Sequence, residues 1–383
     1  MERAIELLGS TPEVVAAELP ADLPEAGIGA SAALESLAPT VLGGARDFSA
    51  PGFFGHMDPP TPWITWVMHL WAASRNQNLL HPDTAPVARH LERQVVDWLS
   101  PSFGMTGGHL TPGSSLANLT AIWAARQAGA HTVVATKNSH LSVAKAAHLL
   151  GMFYRSVPHW NGTESFDGCV AVITAGTTST GEIERLDAAQ DALWRHVDAA
   201  WSGPLVLSEQ HRHLLAGIED ADSVAVSAHK WLFQPKESAL VLFKDAEAAH
   251  QSLSFGAGYL AVPNVGLQGS HGATAIPLLA MLLAYGRSGV ARWIDEAMNA
   301  AATLGRLVHM KPNLELRTPP QSGIVNWRHN DIAAPDVQRR LPKDIYISTT
   351  TIDGEPWLRS VAANPMADAH AVANVVADMH ESG

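Results

Sequence analysis

Short apolar segments alternate with helical segments along the middle of the chain. Strands are predicted at residues 131–136, 169–174, 223–227 and 238–243, with a strand end at 196–200. Helices are predicted between them, at 142–150 and 188–193. Alternation at this spacing is typical of an α/β fold, in which helices cover both faces of a mostly parallel sheet and ligands bind at the carboxyl ends of its strands.

The segments before this core are helical or irregular. Residues 1–50 contain two short helical patterns separated by a proline-containing stretch, and we interpret them as an arm because they are too interrupted to form a core of their own. Residues 53–62 are an aromatic and proline loop that excludes regular structure. Helices are predicted at 63–73, 87–99 and 116–127, the second of them amphipathic with Glu92 on its outward face.

Composition narrows the class of function. The 383 residues are 46% apolar with a mean hydropathy of +0.02, as expected for a soluble globular protein. The best candidate for a membrane span, residues 276–285, has half the required length, and the N-terminus lacks a signal-peptide core. A net charge of −12 argues against a nucleic-acid partner. The single cysteine, Cys169, fits a reducing cytoplasm, and the 19 histidines lack metal-ligand spacing, so no metal is expected.

A segment rich in glycine and hydroxyl residues, 107–119, runs directly into the helix predicted at 116–127. The free N–H groups of a helix start, the helix dipole and the hydroxyls of Ser114 and Ser115 together make an anion site suited to a phosphate. Many helices begin with serine only to cap their own backbone, so this segment alone leaves both interpretations open.

Lys230 stands between two apolar strands, where its amine is expected to lie inside the protein. A desolvated lysine loses its proton readily and becomes a nucleophile toward aldehydes, although a lone strand-end lysine can also be a surface residue. Its neighbours favour the chemical interpretation, because His140, Thr177 and Asp198 also follow or end predicted strands. Together these residues predict pyridoxal 5′-phosphate as the cofactor. The anion site would bind its phosphate, the acid its ring nitrogen, the planar side chain its ring and the lysine its aldehyde.

Over roughly residues 45–380 the chain resembles the group II pyridoxal-phosphate-dependent amino acid decarboxylases of fold type I. The matching segments follow the family's order: Asn76-Gln77-Asn78, Ala85-Pro86, Leu91-Glu92, Thr111 to Leu119, Ser139-His140-Leu141-Ser142, Gly176 to Gly181, Val197 to Trp201, Ala221-Asp222-Ser223, His229-Lys230-Trp231, Trp357-Leu358-Arg359 and Asn364-Pro365. The resemblance implies a seven-stranded, mostly parallel sheet in a large domain, residues 51–290. A small C-terminal α+β domain, residues 291–383, is expected to follow, with residues 1–50 as a helical arm exchanged within a homodimer.

The resemblance also implies a role for each matching residue. Lys230 is expected to bind the cofactor covalently, Asp198 to pair with its ring nitrogen, and His140 to stack on its ring. Further cofactor contacts are expected from Gly113, Ser114, Ser115, Thr177, Ala200, Ser227, His229 and Ser270. Substrate or dimer-interface contacts are expected from Thr61, Asn76, Gln77, Asn78, His271 and Arg359, although a structural ion pair is an alternative for Arg359.

Two departures from the family's pattern bear on the reaction. A long mobile loop whose tyrosine protonates the intermediate in the partner subunit is reduced here to residues 261–267, which leaves Tyr259 as the candidate proton donor. His271 stands where the family usually has arginine. The first expectation is decarboxylation of an L-amino acid to the amine and carbon dioxide in a homodimer with shared sites. Alternatives are decarboxylation-dependent oxidative deamination, elimination or transfer, or a non-catalytic protein that binds the cofactor; the substrate stays open.

Overall fold

The computed structural model describes residues 1–10, 19–160 and 164–380. The chain forms two compact units, Met1–Phe48 and Ser49–Gly383. In the first unit, helices α1 (Glu2–Ser10) and α2 (Ala30–Val41) confirm the two helical patterns predicted there. Arg3 of α1 joins the two helices, because its Nε donates to Glu35 Oε1 of α2 over 2.6 Å.

The second unit contains two sheets and the helices that cover them. Its strands are β1 (Phe53–Phe54), β2 (Gly107–Thr111), β3 (Thr132–Thr136), β4 (Phe153–Val157), β5 (Cys169–Thr174), β6 (Trp194–Asp198), β7 (Ser223–Val226), β8 (Ala239–Phe243), β9 (Ser254–Phe255), β10 (Asn264–Val265), β11 (Leu314–Leu316), β12 (Ile324–His329), β13 (Tyr346–Ile352) and β14 (Glu355–Val361). Its α-helices are α3 (Trp63–Arg75), α4 (Ala88–Leu99), α5 (Ser114–Gln127), α6 (Leu141–Leu149), α7 (Ala246–Ser252), α8 (Ala275–Met310), α9 (Ala334–Arg340) and α10 (Ala369–Ala377). Short 3₁₀ turns lie at Ser100–Phe103, Gly203–Leu207, Arg212–Leu215 and Ile218–Asp220.

The larger sheet has seven strands in the order β2-β8-β7-β6-β5-β3-β4. Five strands are parallel to one another: β7, β6, β5, β3 and β4. Strand β8 runs antiparallel to both β7 and β2. The sheet confirms the predicted α/β class with a mostly parallel sheet, and the parallel strands place their carboxyl ends at one edge.

Both faces of this sheet are buried, as the near-continuous apolar strands require. Along β5 all six residues are buried. Val170 and Val172 pack on one face with residues of α5 and α6, whereas Ala171 and Ile173 belong to the core on the opposite face. The two-residue period of a strand therefore divides one apolar segment between two cores.

The smaller sheet has the order β1-β13-β14-β12-β11 and packs against α8, α9 and α10. Helix α8 extends from Ala275 to Met310 and contains one non-helical residue, Gly286, with φ 63° and ψ 178°. The expected boundary between large and small domains, at residue 290, lies within α8 close to this residue and stays a prediction.

Three local predictions were wrong. The helix expected at 188–193 is a turn, because the Asp191 carboxylate accepts from Phe166 N–H over 2.9 Å and a segment of six residues is too short to be helical without tertiary support. The loop at 53–62 contains strand β1, which pairs in parallel with β13. Glu92 does not face outward: its Oε2 is buried, and loss of water raises the pKa of its carboxyl.

The shortened segment after the lysine forms a small hairpin. Strands β9 and β10 pair antiparallel, with Phe255 opposite Asn264. Tyr259 lies in the connection between them and is 74% exposed. Across the described ranges of the chain, none of the helices combines the length and apolar character that crossing a membrane requires.

Candidate active site

A cavity of about 350 Å³ lies at the carboxyl ends of β3, β5 and β6. The side chains around it come from several elements, since His140 follows β3, Thr174 ends β5, Asp198 ends β6 and Lys230 follows β7. The cavity is lined by Pro112, Gly113, Ser114, Ser115, Leu116, His140, Thr174, Gly176, Thr178, Asp198, Ala200, Trp201, His229 and Lys230. Eight of the residues predicted from the sequence to contact the cofactor or act on it therefore share one cavity: Gly113, Ser114, Ser115, His140, Asp198, Ala200, His229 and Lys230.

Lys230 brings its amine into this cavity from a turn that is fixed by buried aromatic rings. Trp231 is fully buried and stacks on Trp201 with ring centroids 4.0 Å apart. Removal of the amine from water lowers the pKa of Lys230 to about 8, although the negative charge of Asp198 acts in the opposite direction. A lysine with this pKa has a neutral, nucleophilic fraction near neutral pH.

Asp198 is buried and held by two donors. Its Oδ2 accepts from Asn118 Nδ2 over 2.8 Å, and its Oδ1 accepts from the backbone N–H of Ala200 over 3.2 Å. These bonds fix the orientation of the carboxylate toward the cavity.

His140 is the N-cap residue of α6, which fixes its ring at the cavity wall. Its Nδ1 accepts from the backbone N–H of Ser142 over 3.2 Å and lies 2.8 Å from Ser142 Oγ. Loss of water lowers the pKa of His140, against the attraction of Asp198. A neutral ring with its proton on Nε2 suits a planar stacking partner.

The opposite end of the cavity fits an anion. Helix α5 begins after Gly113 with no side chain capping its first N–H groups, so these donors face the cavity together with Ser115. Ser227 Oγ donates to Ser114 Oγ over 2.9 Å, which places the predicted residue Ser227 next to Ser114 at the start of α5. His229 is kept neutral, because loss of water lowers its pKa to about 4.

A buried oxygen without a partner provides a further test of fit. Thr174 lines the cavity, and its buried Oγ1 has no hydrogen-bond partner among the described residues. Buried hydroxyls are nearly always paired, so this oxygen is suited to a polar group bound in the cavity. A phosphate site, a carboxylate and a lysine around one cavity suit pyridoxal 5′-phosphate, which has a phosphate, a ring nitrogen and an aldehyde.

Arg359 of β14 reaches the edge of this cavity through Thr178. Its Nε donates to the Thr178 carbonyl over 2.7 Å and its Nη1 to Ser348 Oγ over 3.3 Å. Thr178 lines the cavity, whereas the predicted contact Thr177 does not: the Thr177 hydroxyl lies 2.6 Å from Thr180 Oγ1 within the turn. The sequence places the two threonines side by side and does not distinguish them.

The remaining predicted residues lie elsewhere in this chain. Asn78 Nδ2 donates to Ser270 Oγ over 3.1 Å, and Leu79 N–H donates to the carbonyl of His271 over 2.9 Å. His271 lines a second cavity, of about 230 Å³, together with Glu92 and Leu79. The lining of the Lys230 cavity does not include Asn76, Gln77, Asn78, Thr61, Tyr259, Ser270 or His271.

Comparison with known proteins decides the family. The sequence-family model for the pyridoxal-dependent decarboxylase conserved domain matches residues 12–330. The chain belongs to this decarboxylase family. Its cofactor is pyridoxal 5′-phosphate, and its reaction is the decarboxylation of an amino acid, which makes it a carboxy-lyase. None of the alternative reactions considered from the sequence is favoured by these findings.

Individual relatives of this decarboxylase act on different amino acids. Aspartate 1-decarboxylase of Aliivibrio fischeri is 27% identical over 80% of the chain and 69% of its own length, and L-2,4-diaminobutyrate decarboxylase of Rhizobium meliloti is 28% identical over 90% and 80%. The crystal structure of mouse CSAD has a TM-score of 0.85 at 22% identity and covers 98% of this chain and 97% of its own. The structural likeness confirms fold type I.

Proposed function

We propose that this decarboxylase removes carbon dioxide from an L-amino acid in the Lys230 cavity, with Lys230 as the cofactor-binding lysine. The observation that carries the proposal is the enclosed Lys230 amine beside the hydrogen-bonded Asp198 carboxylate. Bound pyridoxal phosphate supplies an electron-accepting ring for the charge left at the α-carbon when carbon dioxide departs. Asp198 holds a proton at the ring nitrogen, His140 fixes the ring plane, and Ser114, Ser115 and the start of α5 bind the phosphate.

A panel of L-amino acids tests this proposal and finds the substrate. The purified protein, loaded with pyridoxal phosphate, is incubated with each amino acid while carbon dioxide is measured. Aspartate and 2,4-diaminobutyrate stand first in the panel because relatives of both specificities match the chain. Release from at least one amino acid is expected, and no release from any would contradict the proposal.

We propose that Arg359 binds a carboxylate of the substrate. Its guanidinium is buried, and within the described ranges no carboxylate lies within ion-pair distance of it; its hydrogen-bond partners are the neutral oxygens of Thr178 and Ser348. Asp58, whose negative charge raises the pKa of Arg359, is already in contact with Lys236 Nζ. Burial lowers the pKa of Arg359 to about 10, so it stays a cation at neutral pH. A buried cation without a partner is costly, and an anionic ligand offsets that cost.

Replacing Arg359 with glutamine is expected to lower kcat/KM about 10- to 100-fold, because one charge-assisted contact to the substrate is lost. The matched control is Arg328→Gln on β12, where the arginine pairs with Glu315 at the surface. A loss shared by every amino acid that reacts points to the α-carboxylate, and a loss confined to acidic amino acids points to a side-chain carboxylate. Unchanged kcat/KM for all substrates would refute the contact.

We also propose that the enzyme is a homodimer in which Tyr259 protonates the product carbon in the partner's site. Helix α3 presents the exposed side chains of Trp63, Trp66, Leu70 and Trp71, spaced to form one apolar face. Such a face is suited to burial against a second copy. Tyr259 is exposed and does not line the Lys230 cavity of its own chain, which supports action on a neighbouring site. We further propose that the two subunits exchange the arm of residues 1–50. We also propose that the enzyme is located in the cytoplasm.

Subunit mixing tests this arrangement. Tyr259→Phe alone is expected to lower amine formation about 100-fold, the typical effect of losing a general acid. Co-expression of Lys230→Ala and Tyr259→Phe subunits should restore about a quarter of wild-type activity, because half of the dimers are mixed and one of their two sites has both groups. Each variant expressed alone is the control. Failure of the mixture to exceed both controls would show that Tyr259 does not act across subunits.

A further inference from the structure

A continuous chain of buried hydrogen bonds runs along one face of the sheet, from Trp194 at the start of β6 to Asp198 at its end and to His140. Four of its buried side chains do not line the Lys230 cavity: Asn118 of α5, Ser142 of α6, His196 of β6 and Ser223 of β7. Each is nearly or fully buried. Buried polar side chains impose a cost unless they are paired, so the pairing of this group defines one arrangement of its hydrogens.

The arrangement follows from Asp198. A carboxylate only accepts, so Asp198 Oδ2 accepts a hydrogen bond from the asparagine NH₂ group over 2.8 Å. The same NH₂ group lies 3.0 Å from Ser142 Oγ and donates to it as well. The amide oxygen, Asn118 Oδ1, must then face His196 Nε2, 3.0 Å away.

His196 is a neutral donor in this arrangement. Because Asn118 Oδ1 only accepts, the proton of the His196 ring lies on Nε2. Complete burial lowers the pKa of His196 to about 4, so the ring has one proton near neutral pH. Its Nδ1 accepts from Ser223 Oγ over 2.9 Å, and Ser223 Oγ in turn accepts from Trp194 Nε1 over 2.8 Å. Nδ1 also lies 3.2 Å from the Ser223 carbonyl oxygen. In this tautomer both atoms are acceptors, so no hydrogen bond joins them.

The chain of bonds divides at Asn118 into two branches. One branch ends on Asp198 Oδ2. The other passes through Ser142 Oγ, which accepts from Asn118 and therefore donates to His140 Nδ1 over 2.8 Å. His140 Nδ1 is thus an acceptor, and the proton of the neutral His140 ring lies on Nε2. One amide orients both the carboxylate and the histidine that face the cavity.

We propose that His196 is a positioning residue, which holds the Asn118 amide so that it donates at once to Asp198 and, through Ser142, to His140. Rotation of the amide by 180° would place its oxygen against Asp198, where two acceptors repel each other. The Nε2–H of His196 opposes that rotation by requiring the oxygen on its own side. This inference rests on the proposed cofactor-site roles of Asp198 and His140 and assigns functions to residues outside the cavity.

The test compares two substitutions of the same histidine in the protein loaded with pyridoxal phosphate. His196→Gln keeps an N–H donor near the position of Nε2, whereas His196→Leu removes it. His196→Leu is expected to lower kcat about 10- to 100-fold with KM within about twofold, because the Asn118 amide is no longer held to donate to the charged Asp198 carboxylate. It should also reduce the visible circular dichroism per bound cofactor at least by about half, because the ring site is less uniquely fixed. His196→Gln should keep kcat and the circular dichroism per bound cofactor within about threefold of the wild-type values.

A matched control separates positioning from stability. His329 of β12 is buried in the other sheet and hydrogen-bonded to Asn313, so His329→Leu removes a similar contact far from the cavity. It is expected to lower the melting temperature without changing the circular dichroism per bound cofactor. If His196→Leu does not fold, Ser223→Ala provides the second test, because loss of the donor to Nδ1 weakens the Nε2–H tautomer and should lower the same signals in the same direction.

The results distinguish this inference from the proposed reaction. Equal circular dichroism and kcat in the wild type, His196→Leu and Ser223→Ala would overturn the positioning role, as would a melting-temperature loss with no change per bound cofactor. If no amino acid is decarboxylated, the reaction assignment fails while the circular dichroism and cofactor affinity still test the role of His196.

Discussion

Replacing Lys230 with alanine is expected to abolish the yellow colour of the purified protein and to lower decarboxylation at least about a thousandfold. In the proposed mechanism the amine is the nucleophile that binds the cofactor covalently, and losses of this size follow removal of an activated nucleophile. The visible absorbance of the protein is measured after dialysis, alongside carbon dioxide release. Colour that persists unchanged would show that another residue holds the cofactor.

The matched control for this substitution is Lys244→Ala. Lys244 follows β8, and its Nζ donates to the backbone carbonyl of Glu219 over 2.7 Å, outside the cavity. This variant should keep the colour and the activity of the wild type. A loss in both variants would indicate a general effect of removing lysines near this sheet and would not support a special role for Lys230.

Asp198→Asn is expected to lower kcat about 10²- to 10³-fold with little change in KM. The substitution keeps the shape of the side chain but removes the negative charge that, in the proposed mechanism, stabilises a protonated ring nitrogen, and breaking a buried charge pair costs about 3–5 kcal/mol. Asparagine also turns one acceptor into a donor that faces the Asn118 NH₂ group or the Ala200 N–H. Steady-state kinetics on the substrate found in the amino acid panel measure the effect.

Asp222→Asn is the control for this second prediction. Asp222 precedes β7 at the opposite end of the strands, where its Oδ2 accepts from Arg195 N–H over 2.7 Å. Its substitution should affect stability and leave kcat within about twofold, because no charge near the cofactor changes. If Asp198→Asn had no larger effect on kcat than Asp222→Asn, the pairing of Asp198 with the ring nitrogen would be wrong.

The sequence predicts the sheet and its carboxyl-end site well, for a physical reason. In a parallel sheet the ends of β3, β5 and β6 converge, so residues that follow separate apolar strands meet without further information. This rule predicts that His140, Asp198 and Lys230 lie close together, and in the structure all three line one cavity. The sequence also predicts an anion site at Ser114 and Ser115, because a helix start with free N–H groups can be recognised locally.

Residues whose role depends on packing between elements could not be predicted in this way. Asn118 and His196 lie on different elements, α5 and β6, and only the docking of the helix on the sheet brings them within 3.0 Å. Helical periodicity predicts that Glu92 faces outward, because the pattern indicates one buried face of α4 and does not show that β2 also packs against this helix. A buried asparagine among the alanines of α5, at Ala117-Asn118 and Ala121, was the one signal available in the sequence.

The most direct test of the account is the stoichiometry of the reaction. With the substrate found in the panel, carbon dioxide, amine, ammonia and hydrogen peroxide are measured together in one reaction. Protonation of the product carbon predicts equal amounts of carbon dioxide and amine, without ammonia or peroxide. Carbon dioxide accompanied by ammonia and peroxide in place of the amine would contradict the account.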